Sequence, residues 1–113
     1  AAEFKRLFAG DSQFLTQTEL PGAQSSWFGF TIIPTDTPRS KFLEPMRRAG
    51  IEFRQITGGN FLQHPAAAHY DHEVFNGCPN ARRAHDNGFF VGNHPTDLTP
   101  QLTRLREVLE EVA

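Results

Sequence analysis

The chain has 113 residues, enough for one domain with one core, and a formal net charge of -2, which gives no electrostatic reason to expect nucleic acid. A single cysteine, Cys78, excludes an internal disulfide framework and fits a reducing compartment. No apolar run approaches the length of a membrane helix and the opening residues lack a signal-peptide pattern, so a membrane is not expected as a partner. The first residue is Ala and not Met, which reads as a processed or trimmed start. Eleven Phe is a high number for this length, and some are expected at an interface and not only in the core.

Phe4, Leu7 and Phe8 stand at helical spacing, so Ala2–Phe8 reads as the end of a helix. Ala9–Ser26 is rich in Gly, Asp, Ser and Pro and reads mostly as a loop. Trp27–Ile33 is the best strand. Alternation puts Phe28, Phe30 and Ile32 on one face and Trp27, Thr31 and Ile33 on the other. Both faces are largely apolar, which predicts cover on both sides. Asp36 or Thr37 can cap a following helix with Pro38 at its first position. Phe42, Leu43, Met46 and Ala49 form its apolar stripe, Gly50 stops it, and Pro45 predicts a kink or a late start.

Ile51–Ile56 is a second strand, with Ile51 and Phe53 alternating with Glu52 and Arg54. Thr57–Pro79 has no clear period, and a segment that long inside a small domain is usually functional or mobile. Pro79-Asn80 opens a short helix through Asp86, ended by Asn87-Gly88, and Phe89–Val91 is a third strand. Thr99 caps the last helix with Pro100 just inside, and Leu102, Leu105, Leu109 and Val112 make its buried stripe. The order predicts a two-layer α+β domain, with a small sheet and the 38–49 and 100–112 helices packed together on one face.

Two loops carry the chemistry. Gly58–Pro65 (GGNFLQHP) and Gly88–Thr99 (GFFVGNHPTDLT) each set Asn, His and Pro beside glycine, which suits one wall of a small-molecule site. Gly58-Gly59-Asn60 reads equally as an anion-binding nest or as a plain turn. Asn93-His94 can bond hydroxyls or phosphate, or Asn93 can cap a turn before Pro95. A zinc site from His64, His69, His72, His94 and Asp71 fits less well than loop histidines in water, because the spacing is loose and matches no ligand motif. Cys78 in Asn76-Gly77-Cys78-Pro79 reads as a turn residue better than as a nucleophile. Lys5 and Lys41 are the only lysines, and neither has the context of a buried Schiff-base lysine.

Ser26–Ile33 (SWFGFTII), the helix to Gly50, Ile51–Pro65 (IEFRQITGGNFLQHP) and Asn80–Leu98 (NARRAHDNGFFVGNHPTDL) together resemble the C-terminal part of a DegT family enzyme. The pieces S-W-F-G-F, G-G-N-F…P and G-F-F-V-G-N-H-P are most similar to the branch of 4-keto-6-deoxyhexose 3-dehydratases. The resemblance implies the small domain of a fold-type I enzyme dependent on pyridoxal or pyridoxamine phosphate (PLP or PMP). Residues 26–113 would be that C-terminal small domain, and residues 1–25 a helix and loop leading from a large domain that binds the cofactor.

The implied parent is a cytoplasmic aminotransferase or 3-dehydratase of nucleotide-linked deoxysugars, working in surface-polysaccharide or deoxysugar biosynthesis. Its partners would be the large domain of the same polypeptide, a second copy in a homodimer, and the nucleotide sugar. The family loop matching Gly58–Pro65 faces the substrate, so Gly59, Asn60, Gln63 and His64 are candidate substrate-binding residues, with Asn93 and His94 second in line. No catalytic or metal-ligating residue is expected in this chain, which alone should be silent. One departure stands out: Leu62-Gln63-His64 replaces the Thr-Arg-Gln common in the family, removing an arginine suited to a nucleotide phosphate. The alternative reading is a free-standing α+β module that binds a small molecule or a partner without catalysis; a third is a small cysteine hydrolase built on Cys78.

Overall fold

The computed structural model describes residues 1–113. Helix α1 (Ala2–Leu7) leads to a short strand, β1 (Phe14–Thr16), and then to β2 (Gly29–Pro34). Helix α2 (Ser40–Arg48) and strand β3 (Phe53–Gln55) follow. Two 3-10 turns, Phe61–Gln63 and Pro65–His69, interrupt the long connection to α3 (Pro79–Asn87). Strand β4 (Phe89–Gly92) and helix α4 (Thr99–Glu110) complete the chain. The sheet is antiparallel throughout, in the order β1-β2-β4-β3.

Register decides which face is the core. Phe30 pairs with Val91 and Ile32 with Phe89, while Phe53 pairs with Val91 and Phe14 with Pro34. Partners across an antiparallel ladder share a face. Phe14, Phe30, Ile32, Phe53, Phe89 and Val91 therefore line one side. Against them lie Phe4 and Phe8, Phe42 and Met46 of α2, and Leu102, Leu105, Val108 and Leu109 of α4, all in one cluster. Helices α2 and α4 share one layer, as expected, and are in contact. Phe4 stacks on Phe30 at 4.7 Å between ring centres, and Phe14 meets Phe42 edge-on at 5.7 Å.

Several local expectations need correction. Trp27 does not lie opposite Phe30. Its φ of +49° twists the chain before β2 begins, so its ring joins the core 6.0 Å from both Phe4 and Phe30. Phe28 is turned out on the other side, 84% exposed and 5.9 Å from Phe90. That second face, with Leu15 and Phe28 in solvent, is open and not covered on both sides as predicted. Of the eleven Phe, Phe4 and Phe8 are 0% and 5% exposed, whereas Phe61 and Phe75 stand out in solvent.

Strand β1 falls inside the segment read as loop. Its ladder is prolonged by a side chain: Gln17 Nε2 donates to the Gly29 carbonyl (3.0 Å), and its Oε1 accepts the Thr31 N–H (2.8 Å). Helix α2 starts late, at Ser40, with no side chain capping it, and Pro45 sits inside. Gly50, at φ +71°, ends it as predicted: Ile51 N–H reaches the Met46 carbonyl and Gly50 N–H the Arg47 carbonyl. At the start of α4 Thr99 does not cap; Leu98 holds the N-cap position without a side-chain bond, and the first N–H of the helix is met by Asp97 just before it. Its Oδ1 accepts the Thr99 N–H (2.9 Å), and that bond holds the carboxyl below its ordinary pKa. A depressed carboxylate stabilises the fold above its unfolded pKa, and this contribution is lost as pH falls through the folded value.

The N-terminal arm is fastened to α4 by Arg106. Its guanidinium pairs with Asp11, whose side chain is only 6% exposed, and lies over the rings of Phe8 (5.0 Å) and Phe14 (5.7 Å). Asp11 also accepts the N–H groups of Gln13 and Phe14, which sets the entry to β1. Arg106→Ala strands this carboxylate and is expected to cost about 1–3 kcal/mol. For a domain of this size that is a melting-point fall of roughly 4–8 °C per kcal/mol. An Asp11→Ala, Arg106→Ala double variant melting no lower than the worse single variant is the expected sign of direct coupling.

Candidate functional site

The two loops singled out by sequence lie at opposite ends of β4 and do not form one wall. Gln55 pairs with Phe89, so the chain leaves β3 toward Gly58–Pro65 at the start of β4. Gly92 pairs with Gly29, so Asn93 and His94 emerge at its far end. The ends of a four-residue strand are on the order of 10 Å apart.

At the far end Asn93 is spent on the fold. Its Nδ2 donates to the carbonyls of Ser26 and Trp27, both at 2.8 Å, and its Oδ1 accepts the His94 N–H (2.9 Å). This amide holds the left-handed twist at Trp27. His94 is exposed, and its Nδ1 faces the hydroxyl and N–H of Thr96. An open groove of about 560 Å³ runs beside them, between the Gly50–Glu52 turn and the first turns of α4.

At the near end the Gly58–His64 loop lies against the last turn of α3. Gly58 and Gly59 both have positive φ, +76° and +50°. Asn60 is 3% exposed, and its N–H donates to His85 Nδ1 (3.1 Å). Asn60 Oδ1 accepts the Leu62 N–H (3.1 Å) and caps the Phe61–Gln63 turn. No protein group takes the hydrogens of Asn60 Nδ2, yet that nitrogen is not sealed from solvent. His64 Nε2 bonds the Gly58 carbonyl (2.9 Å), its ring stacks on exposed Phe61 (6.1 Å), and Gln63 Nε2 reaches Asp86 Oδ1 at 3.5 Å. Gly59, Asn60, Gln63 and His64 are thus brought together. The Asn60 N–H is engaged and not free for an anion, which favours the plain turn over the nest.

The other side chains weighed from sequence do not converge. No three His, Cys, Asp or Glu side chains gather at metal-binding distance. Cys78 has φ +48° and its Sγ is paired with the Phe75 carbonyl, not with an imidazole. Lys5 pairs with Glu19 and sits over the Trp27 ring. Its hydrogen bond, with one from the Ser25 N–H, lowers the Glu19 pKa. Lys41 is exposed on α2.

The residue that sequence reasoning missed is His85. A signal was present: two consecutive glycines mark a backbone that something approaches closely, and His85 stands at the end of the helix before Asn87-Gly88. Pairing the two needs the fold.

No family model matches the chain. It is 44% identical over 91 residues to a GDP-4-keto-6-deoxy-D-mannose 3-dehydratase of Escherichia coli O55:H7, an alignment taking in 77% of this chain and 24% of that enzyme. It is 33% identical over 115 residues to the Yersinia pseudotuberculosis enzyme of that name, taking in 98% of this chain and 29% of the relative. In structure it superposes on E. coli GDP-4-keto-6-deoxy-D-mannose-3-dehydratase with bound hydrated PLP at a TM-score of 0.86 and 37% identity, covering 96% of this chain and 28% of that one. A mutant of such a dehydratase with bound GDP-perosamine matches equally well. A PMP-form sugar aminotransferase from Streptococcus pneumoniae, 16% identical at a TM-score of 0.65, shares the fold.

Its homologues are therefore DegT-like, PLP-dependent GDP-4-keto-6-deoxymannose 3-dehydratases, which it matches as a small part of a larger protein. The chain spans 24–29% of the length of these relatives. No helix is long and apolar enough to cross a membrane.

The bonding at the two ends of β4 predicts different phenotypes. Asn93→Ala removes two bonds to carbonyls and frees a strained turn. It should lower stability by about 1–3 kcal/mol, read as an earlier thermal transition. His94→Ala should leave the stability within about 0.5 kcal/mol of the parent, as exposed substitutions do.

Proposed function

We propose that this chain is the C-terminal small domain of a PLP- or PMP-dependent enzyme that removes the 3-hydroxyl of a GDP-linked 4-keto-6-deoxyhexose. One observation carries the reading: the superposition over 96% of this chain, at 37% identity, on a dehydratase of that specificity. Residues 1–25 would lead in from the large domain, and residues 26–113 would form the small one. The parent would be a cytoplasmic homodimer supplying deoxysugars for surface polysaccharide. The large domain, which would bring the cofactor, would cover exposed Phe61 and Phe75. An aminotransferase is the second reading; the 16% identity to the aminotransferase, against 33–44% to the dehydratases, favours the first.

The part of this chain in the reaction is to bind and orient. Asn60 Nδ2 has no protein acceptor and stands beside the exposed Phe61 ring and the half-free imidazole of His64. Such a set takes sugar hydroxyls: a donor amide, a ring nitrogen and an apolar plate. Leu62-Gln63-His64 offers no guanidinium, so the diphosphate would be held elsewhere. Alone, the chain is expected to be catalytically silent.

Expression of the complete polypeptide, followed by an assay of 3-hydroxyl loss from GDP-4-keto-6-deoxymannose with amino-donor consumption measured in parallel, tests the reading. Amino transfer without dehydration would replace it with the aminotransferase, and activity of neither kind would remove it. In the active polypeptide Asn60→Ala should reduce kcat/KM by about three- to tenfold, the loss of one ordinary hydrogen bond. A fall in melting temperature with unchanged kinetics would make Asn60 a turn residue only.

A further inference from the structure

We propose that His85 is a positioning residue for the Gly58–His64 loop, clasping it through a neutral imidazole and releasing it when that ring is protonated. The proposal rests on the reading of that loop as a substrate-facing wall. The Asn60 N–H donates to His85 Nδ1 at 3.1 Å. Nδ1 accepts only while it carries a lone pair, so the bond fixes the tautomer with its proton on Nε2. The ring also occupies the place of a missing side chain: a Cβ on Gly59 would lie 2.2 Å from His85 Nδ1 and 3.0 Å from Cγ. Gly59 thus answers to two constraints, a φ of +50° and the approach of this ring.

His85 is itself fixed from the other side. Arg39, just before α2, donates from Nη1 to the carbonyls of His85 (3.2 Å) and Gly88 (2.8 Å), which holds the last turn of α3. Protonation would set an Nδ1–H against the Asn60 N–H, donor against donor, at a nearly buried residue. The charged and titratable groups around the ring divide. Asp86, next in the chain, and the carboxyl end of α3 favour the imidazolium. The Arg39 guanidinium opposes it, as does His64, whose ring meets His85 edge-on at 6.3 Å, when protonated. The Asn60 bond opposes it directly. The loop is therefore closed on α3 while the His85 ring is neutral and loosened when it is protonated.

The test is by NMR on this 113-residue chain, from about pH 8 to about pH 5, across the ordinary imidazole range. Long-range proton–nitrogen spectra report the His85 tautomer, and hydrogen exchange corrected for intrinsic rates reports protection of the Asn60 amide. The expected result is an Nε2–H tautomer at the upper pH and an Asn60 protection factor that falls about three- to tenfold as His85 titrates. Phe89 and Val91 amides, in the central strand, should keep their protection. His85→Asn, which places an oxygen near Nδ1, should keep the Asn60 protection and lose its pH dependence. His85→Leu should lose the protection at every pH. An Nδ1–H tautomer, or Asn60 protection flat through the His85 titration in the parent, overturns the proposal. So does a His85→Asn variant that keeps the pH dependence, even if His85→Leu fails to fold. In the complete polypeptide, a clasp that titrates as expected while GDP-perosamine leaves the Gly58–His64 resonances unmoved supports the clasp and overturns only the substrate-facing reading.

Discussion

The pairing of β2 with β4 is the constraint on which the rest of the molecule depends. Phe30 opposite Val91 and Ile32 opposite Phe89 put four buried side chains on one face of the central ladder. A slip of one residue would turn all four into solvent, so the register is set by the burial itself. Once it is set, β1 and β3 are placed on either side, and the helical layer has one surface to cover. The same pairing delivers the start of β4 to the Gly58–Pro65 loop and its end to the Trp27 twist. Gly29 is part of this constraint: a Cβ there would lie 2.7 Å from the Phe90 ring and 2.9 Å from the Val91 carbonyl. The outward ring of Phe90 lies across a residue with no side chain of its own.

Much of this was legible in the sequence because burial and periodicity write it there. The apolar stripes of α2 and α4, the glycine stop at Gly50 and the strands β2, β3 and β4 all follow from spacing, and they yield the α+β layering. What was not legible depends on single backbone angles and on contacts distant in sequence. Strict alternation placed Phe28 on the face of Phe30 and Trp27 on the opposite one. One left-handed residue exchanges them, and nothing in S-W-F-G-F announces a positive φ at Trp27. Strand β1 is three residues long between polar neighbours, and its continuation is a glutamine side chain, which no pattern of apolar residues records. The side-chain bond expected from Thr99 at the start of α4 comes from Asp97, because a carboxylate two residues before the N–H can bond it as well as a hydroxyl at the boundary.

The same limit applied to the site. Sequence reading collected Asn and His residues near glycines, and the chemistry of those residue types does not say whether their hydrogen bonds are already used. The fold does. Asn93 gives both amide hydrogens to carbonyls, and its oxygen accepts a neighbouring N–H, so only one acceptor site of that oxygen is left. Asn60 uses its oxygen and its backbone N–H but no hydrogen of its side-chain amide. Two asparagines in similar local sequences, Gly-Gly-Asn and Val-Gly-Asn, thus do opposite jobs, and only an account of donors and acceptors separates them.

That account also explains why stability and binding can be varied apart in this domain. At the far end of β4 polar groups are consumed in closing the backbone, and removing one leaves a carbonyl without its donor. At the near end the loop is held at two main-chain atoms, the Asn60 N–H bonded to His85 and the Gly58 carbonyl bonded to His64 Nε2, while the side-chain amide nitrogen of Asn60 has no protein partner and Gln63 reaches Asp86 only at 3.5 Å. A loop anchored by main-chain atoms can change its side chains without losing its shape, provided the two glycines stay. Positions 62 and 63 are of this kind, because the bond from the Asn60 N–H to His85 and the bond at the Gly58 carbonyl do not involve their side chains; His64 is not, because its Nε2 makes the Gly58 bond.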